Sequence, residues 1–113
     1  MIGALSTTAL QACIEACNRC MQACEECLTA CLHEPDVHDR TKCVQTLRDC
    51  GDICALASRY MSRTSEYSKQ ICGLCANICD ACAKHCEMFK DEHCQKCAEM
   101  CRKCAEECRK MVA

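Results

Sequence analysis

The stretch from residue 93 to residue 108 reads HCQKCAEMCRKCAEEC, with cysteines at 94, 97, 101, 104 and 108. The intervals alternate strictly between three and four residues. Residues three and four apart share one face of an α-helix, so this alternation draws a single seam of thiols along one side. A strand would need intervals of two. The same alternation governs Cys13, Cys17, Cys20, Cys24, Cys27 and Cys31, and again Cys72, Cys75, Cys79, Cys82 and Cys86. A further segment keeps the register with substitutions, running Cys43, Leu47, Cys50, Cys54, Ala57, Met61. Leu10, Phe89 and Met111 extend the first, third and fourth seams outward.

Four seams predict four helices, over about 6–33, 36–62, 66–88 and 91–111. Pro35 followed by Asp36 separates the first two, because proline cannot continue a helix. Arg63, Thr64 and Ser65 supply polar residues and an N-cap before the third. Lys90, Asp91 and Glu92 separate the third from the fourth, with Asp91 as the expected cap. Connections this short force antiparallel neighbours, so the expectation is an all-α, up-down-up-down four-helix bundle with inward-facing cysteines. A chain of 113 residues has room for one such domain, spanning 1–113.

Nineteen cysteines in 113 residues is 17%, far above the level that marks a cysteine-dependent scaffold. Leu, Ile, Val and Phe together reach only 14%, which would suggest disorder if the chain were strongly charged. It is not: 14 basic against 16 acidic residues give a net charge of −2. Near-neutral charge and three aromatic residues also argue against nucleic acid as a partner. No apolar run approaches membrane-spanning length, so no membrane association is expected. The start Met1–Leu5 is apolar but lacks a basic n-region, and Ser6, Thr7 and Thr8 follow, which does not read as a signal peptide. The expected location is therefore the cytoplasm, where thiols stay reduced.

An odd number of cysteines excludes a fully disulfide-paired monomer. Intrahelical pairs also have Cβ atoms about 5–6 Å apart, too far for an unstrained bridge. Buried free cysteine can act as a small hydrophobe, and for one or two residues that would suffice. Nineteen would under-fill a bundle, which points to an occupant other than side chains. Thiolate-only sites select Cu(I), zinc or iron–sulfur clusters. Iron–sulfur runs of the C-x₂-C-x₂-C-x₃-C-P kind are absent. Structural zinc favours closed sets of four ligands, whereas continuous seams do not divide into isolated fours. Cu(I) is satisfied by two or three sulfurs, so shared thiolates would hold roughly one Cu(I) per cysteine. A metallothionein-like zinc or mixed-metal thiolate buffer is the alternative. Many near-equivalent ligands suggest capacity, so no enzymatic activity is expected.

Antiparallel topology collects His33, His38, His85 and His93 at one end of the bundle. These are candidate accessory ligands where copper arrives, His85 and His93 foremost because each precedes a seam cysteine. Leu10, Ala57, Met61 and Met111 gather at the other end around Cys13, Cys72 and Cys108. Ile71, Leu74, Ile78 and Ala81, with Ile53, Leu56 and Tyr60, flank the seams and complete the core or face another bundle. The fourth helix carries Glu99, Arg102, Lys103, Glu106, Glu107, Arg109 and Lys110 on its outer face and reads as solvated.

The stretch 93–108, together with Cys13–Cys31, resembles the bacterial copper storage proteins of the cytosolic type, over about residues 10–111. The resemblance implies a four-helix bundle whose inward cysteines hold many Cu(I) ions. It also implies a homotetramer, with copper donor and acceptor proteins as further partners. Exported relatives carry a leader and a methionine-rich mouth, and this sequence resembles them in neither.

Overall fold

The structure, a computed structural model, describes residues 7–112. The apolar start Met1–Leu5, and the first-helix start expected at residue 6, lie outside the described residues. Four helices, α1 (Thr8–Leu32), α2 (Thr41–Ser62), α3 (Ser68–Glu87) and α4 (Glu92–Val112), enclose one core. Each packs on two neighbours: α1 on α2 and α4, and α3 on α2 and α4. Among the described residues the diagonal helices do not approach backbone to backbone and meet only through sulfurs, as Cys50 and Cys101 do at 3.9 Å, so the section is a square with a column at its centre. Contacts between Cys13 and Cys108, and between Cys31 and Cys94, run α1 against α4 head to tail. Cys43 beside Cys86 and Cys54 beside Cys75 do the same for α2 and α3. The up-down-up-down arrangement follows.

The helix ends differ from the sequence expectation in ways that have causes. Thr7 caps α1, its hydroxyl accepting from the Leu10 N–H at 3.1 Å. The second helix begins at Thr41, not at 36, because Val37–Arg40 form a short 3₁₀ helix. Asp36 caps nothing: its carboxylate accepts from Arg40 Nε at 2.7 Å. Asp91 likewise gives its carboxylate to Arg40, while its backbone carbonyl accepts the α4 bond from the Gln95 N–H. The third helix starts at Ser68, two residues later than expected, since 63–67 are used to end α2 and turn the chain.

That turn is a Schellman closure. The Ser65 N–H bonds to the Tyr60 carbonyl at 2.9 Å and the Thr64 N–H to the Met61 carbonyl at 3.0 Å. Thr64 occupies the left-handed position, with φ of 50°. A β-branched residue is ill suited there, as its Cβ crowds the following carbonyl.

The core is made of sulfur. All nineteen cysteines are buried, and Leu47 and Met61 are the two largest side chains shut fully inside. Alanines at 57, 76, 83, 98 and 105 line the faces beside the seams and let the helices approach. Outside, Arg102 forks onto Glu87 (2.8 and 3.3 Å) and reaches Asp80, which also receives Arg109, tying α4 to α3.

Replacing Thr64 by glycine removes the left-handed penalty from an exposed site. We expect T64G to raise the stability of the metal-free protein by about 1 kcal/mol, read as an upward shift of the thermal midpoint. Leu47→Ala acts in the opposite direction, lowering stability by about 2–5 kcal/mol in the same measurement.

Candidate metal centre

Each seam cysteine projects into the square interior, where sulfurs from different helices meet at 3.6–4.0 Å. Cys20 lies 3.8 Å from both Cys50 and Cys101. Cys54 lies 3.7 Å from Cys75 and Cys79 and 3.8 Å from Cys104. Cys17 sits 3.6 Å from Cys104 and 3.8 Å from Cys108. A disulfide would need about 2.05 Å, so these are contacts between free thiols. A metal–thiolate bond of about 2.3 Å, as zinc forms, lets one ion join two sulfurs up to about 4.6 Å apart. The column has that dimension without rearrangement.

Groups of four ligand atoms, all mutually within 4.8 Å, recur along the column. Cys20, Cys24, Cys50 and Cys101 form one, and Cys20, Cys50, Cys54 and Cys79 another. Cys24, Cys82, Cys97 and Cys101 make a third, and Cys17, Cys75, Cys104 and Cys108 a fourth. Cys20 and Cys50 belong to the first two, Cys24 and Cys101 to the first and third. The ligand sets therefore overlap.

Burial pushes the Cys94 thiol above its ordinary value, and neighbouring Cys31 adds to the shift. Deeper in the column, Cys54 and Cys101 are also pushed up, first through their hydrogen bonds with Cys104 and Cys20 respectively. Such thiols carry their protons until a metal displaces them.

The histidines are not equivalent. His93 is brought to the thiols: its Nδ1 lies 3.4 Å from Cys27 Sγ and 3.6 Å from Cys94 Sγ. Cys27, Cys31, Cys94 and His93 form a mixed ligand group. The Nε2 of His93 is buried and makes no hydrogen bond, although Glu34 and Asp91 stand 3.5 and 3.8 Å away. His33 is exposed, its Nδ1 against the Thr29 carbonyl at 2.9 Å. His38 is exposed and His85 half-buried, and among the described residues His33, His38 and His85 make no hydrogen bond to a cysteine.

The sequence reading does not find Arg40, which is 3% exposed at the His93 end of the column. Its Nη1 lies 3.5 Å from both Cys31 and Cys94 Sγ and 2.5 Å from Asp91, and its Nη2 lies 3.9 Å from Glu34. The guanidinium stacks on Phe89, 4.3 Å from the ring centroid. A signal was present: running the α2 seam backwards from Cys43 by three residues lands on Arg40, and by four more on Asp36.

A four-helix bundle whose interior is a continuous column of free thiols, overlapping in ligand sets, is a soft-metal-binding protein. Its family is more particular: the chain belongs to the copper storage proteins, whose family model matches residues 6–113. Among solved structures, it is similar to the Cu(I)-bound copper storage protein BsCsp3 of Bacillus subtilis. That likeness has 48% identity and a TM-score of 0.90, covering 94% of this chain and 100% of that one. The copper storage protein Ccsp of Streptomyces lividans, loaded with 10 copper equivalents, is 39% identical with a TM-score of 0.90, covering 99% of this chain and 89% of that one. The uncharacterized cysteine-rich protein YhjQ of Bacillus subtilis is 50% identical over 87 residues, 77% of this chain and 81% of that protein.

Removing the Arg40 guanidinium strands Asp91 and Asp36 beside the buried sulfurs. We expect R40M to destabilise the metal-free protein by about 1–3 kcal/mol at neutral pH. Arg40 holds the Asp91 carboxyl below its ordinary range. A depressed carboxyl contributes stability above its unfolded pKa of about 4 and loses it as pH falls further. The gap between wild type and R40M in chemical denaturation should therefore narrow below about pH 4.

Proposed function

We propose that the protein is a cytosolic store and buffer for Cu(I), held by the cysteine column as a single unit over residues 1–113. The observation that carries this reading is the overlap of the ligand sets. Zinc, needing four thiolates per ion, could fill these sets together only by bridging through Cys20, Cys50, Cys24 and Cys101, which limits it to far fewer ions than cysteines. Cu(I), needing two or three sulfurs, makes sharing an advantage, and capacity approaches roughly one ion per cysteine. The proposed ligands are Cys13, Cys17, Cys20, Cys24, Cys27, Cys31, Cys43, Cys50, Cys54, Cys72, Cys75, Cys79, Cys82, Cys86, Cys94, Cys97, Cys101, Cys104 and Cys108, all of them buried. His93 is proposed as an accessory ligand on its geometry, and His33, His38 and His85 as imidazoles that hold arriving copper at that end. The role is capacity without catalysis. Cytosolic residence is in keeping with reduced thiols and with the described helices, none of which is long and apolar enough to cross a membrane.

Assembly as a homotetramer is proposed from the family resemblance and from α3. There Leu74 is 50% exposed, with half-buried Ile71 and Ile78 and exposed Ala81 on the same face. Leu74→Glu should shift the protein to a smaller species in sedimentation velocity if that face is the interface.

Anaerobic titration of the reduced protein with Cu(I) against a competing chelator tests the storage reading. Saturation near one ion per cysteine, with protons released as thiols are engaged, is the expected result. Saturation at about one metal per four cysteines, with zinc preferred in competition, would establish the thiolate zinc buffer instead.

A further inference from the structure

We propose that Cu(I) joins the thiol column sideways, through the groove between α1 and α4, because Arg40 closes the column's axis at the histidine-bearing end. The inference rests on the storage reading and adds a route to it.

The axial end is stoppered. Arg40 lies across Cys31 and Cys94 with its Nη1 3.5 Å from each sulfur. Asp36 and Asp91 hold the guanidinium at 2.7 and 2.5 Å, and Phe89 covers its face. The carboxylates of Glu34, Asp36 and Asp91 outnumber the guanidinium in charge, so the obstacle is steric: an ion descending the axis must break two short ion pairs to move the wedged side chain. The opposite end is closed by apolar packing. There a cavity lined by the apolar Leu10, Met61 and Met111, and on its other side by the 64–69 turn, touches no cysteine.

The flank differs. A cavity of about 480 Å³ opens between α1 and α4, and Cys27, Cys97, His93 and Met100 line it. These supply thiol, imidazole and thioether, the donor set that soft cations take. Glu26 and Glu99 on its wall are matched by Arg19 and Lys96, so the wall carries no net charge against a small copper–thiol complex. All nineteen cysteines are buried, and of them Cys27 and Cys97 line this cavity. Cys43 lines neither this cavity nor the apolar one. A polar cavity beside Glu87 and Arg102 reaches no cysteine either.

From the groove the column is one ligand exchange away. Cys27 Sγ lies 3.8 Å from Cys94, and His93 Nδ1 stands within 3.6 Å of both. Cys97 lies 3.9 Å from Cys24, which in turn contacts Cys101 at 4.0 Å. The Nε2 of His93 is buried without a hydrogen bond, with Glu34 and Asp91 at 3.5 and 3.8 Å, while its Nδ1 faces both sulfurs. In each transfer Cu(I) leaves a sulfur of the donor and bonds a sulfur of the groove. The thiol proton passes to the donor's released thiolate, and no electron moves.

Ala23 is half-buried on the α1 wall of the cavity, and a tryptophan there fills it. Reduced wild type, A23W, A23W/R40A and M111W are mixed anaerobically with Cu(I) bicinchoninate, and loss of the chelate colour gives the uptake rate and final copper content. The expected result is that A23W loads about tenfold or more slowly while reaching the wild-type content. A23W/R40A, with the axis unstoppered, recovers the rate, and M111W at the far end loads like wild type. Loading of A23W at the wild-type rate overturns the lateral route, as does a loss of final content matching its loss of rate. Wild type that takes up no multiple Cu(I) overturns the storage reading instead. A second measurement needs no variant: brief substoichiometric iodoacetamide on metal-free wild type, followed by peptide mapping, should mark Cys27 and Cys97 first. Alkylation of any other cysteine ahead of them overturns the proposal.

Discussion

Everything in this molecule depends on the distance at which sulfurs from facing helices meet. At 3.6–4.0 Å they are too far apart to bond one another and close enough to share an ion. The helix sets that distance twice. Its periodicity stacks thiols three and four residues apart on one side, and the alanines beside each seam let neighbouring axes approach. Longer side chains at the seam would separate the helices and fill the space between them. Leu47 and Met61 are the two positions in the α2 seam that carry such side chains fully buried.

The two ends of the column are built from different physics. Around Leu10, Met61 and Met111 the closure is apolar and needs no geometry beyond packing. Around Arg40 it is ionic, with a buried guanidinium shared among Asp36, Asp91 and Glu34. A buried ion cluster of this kind contributes little net stability over an apolar equivalent, because desolvation offsets attraction. What it does supply is a fixed arrangement of the 3₁₀ turn, the α1 end and the α4 start around one cation. The ends of α1 and α4 are where His93 stands between Cys27 and Cys94.

The seams were legible in the sequence because alternating intervals of three and four have one geometric meaning. Antiparallel order was legible too, since turns as short as 88–91 leave no other path. The helix starts were less so. Asp91 looks like a cap and residue 36 like a helix start, and only the fold reveals a guanidinium competing for both carboxylates. Ser65 looks like the start of α3, but α2 needs residues 63–65 to satisfy its last carbonyls. Arg40 stands in seam register, but a charged residue is seldom buried without partners, and its partners come from two separate turns, Glu34 and Asp36 from one and Asp91 from the other. The histidines show the same limit: sequence groups four at one end, but only packing separates His93, beside Cys27 and Cys94, from three that make no hydrogen bond to a cysteine.

Overlap among the ligand groups has a consequence for robustness. Cys20 and Cys50 belong to two quartets, and Cys24 and Cys101 likewise, so at these positions one sulfur has a choice of neighbouring sets. Oxidation or mutation of one thiol leaves its neighbours with alternative partners at nearly the same distance. The column therefore behaves less like a set of numbered sites than like a lattice that tolerates vacancies, and damage to it would lower the holding limit by degrees without collapse.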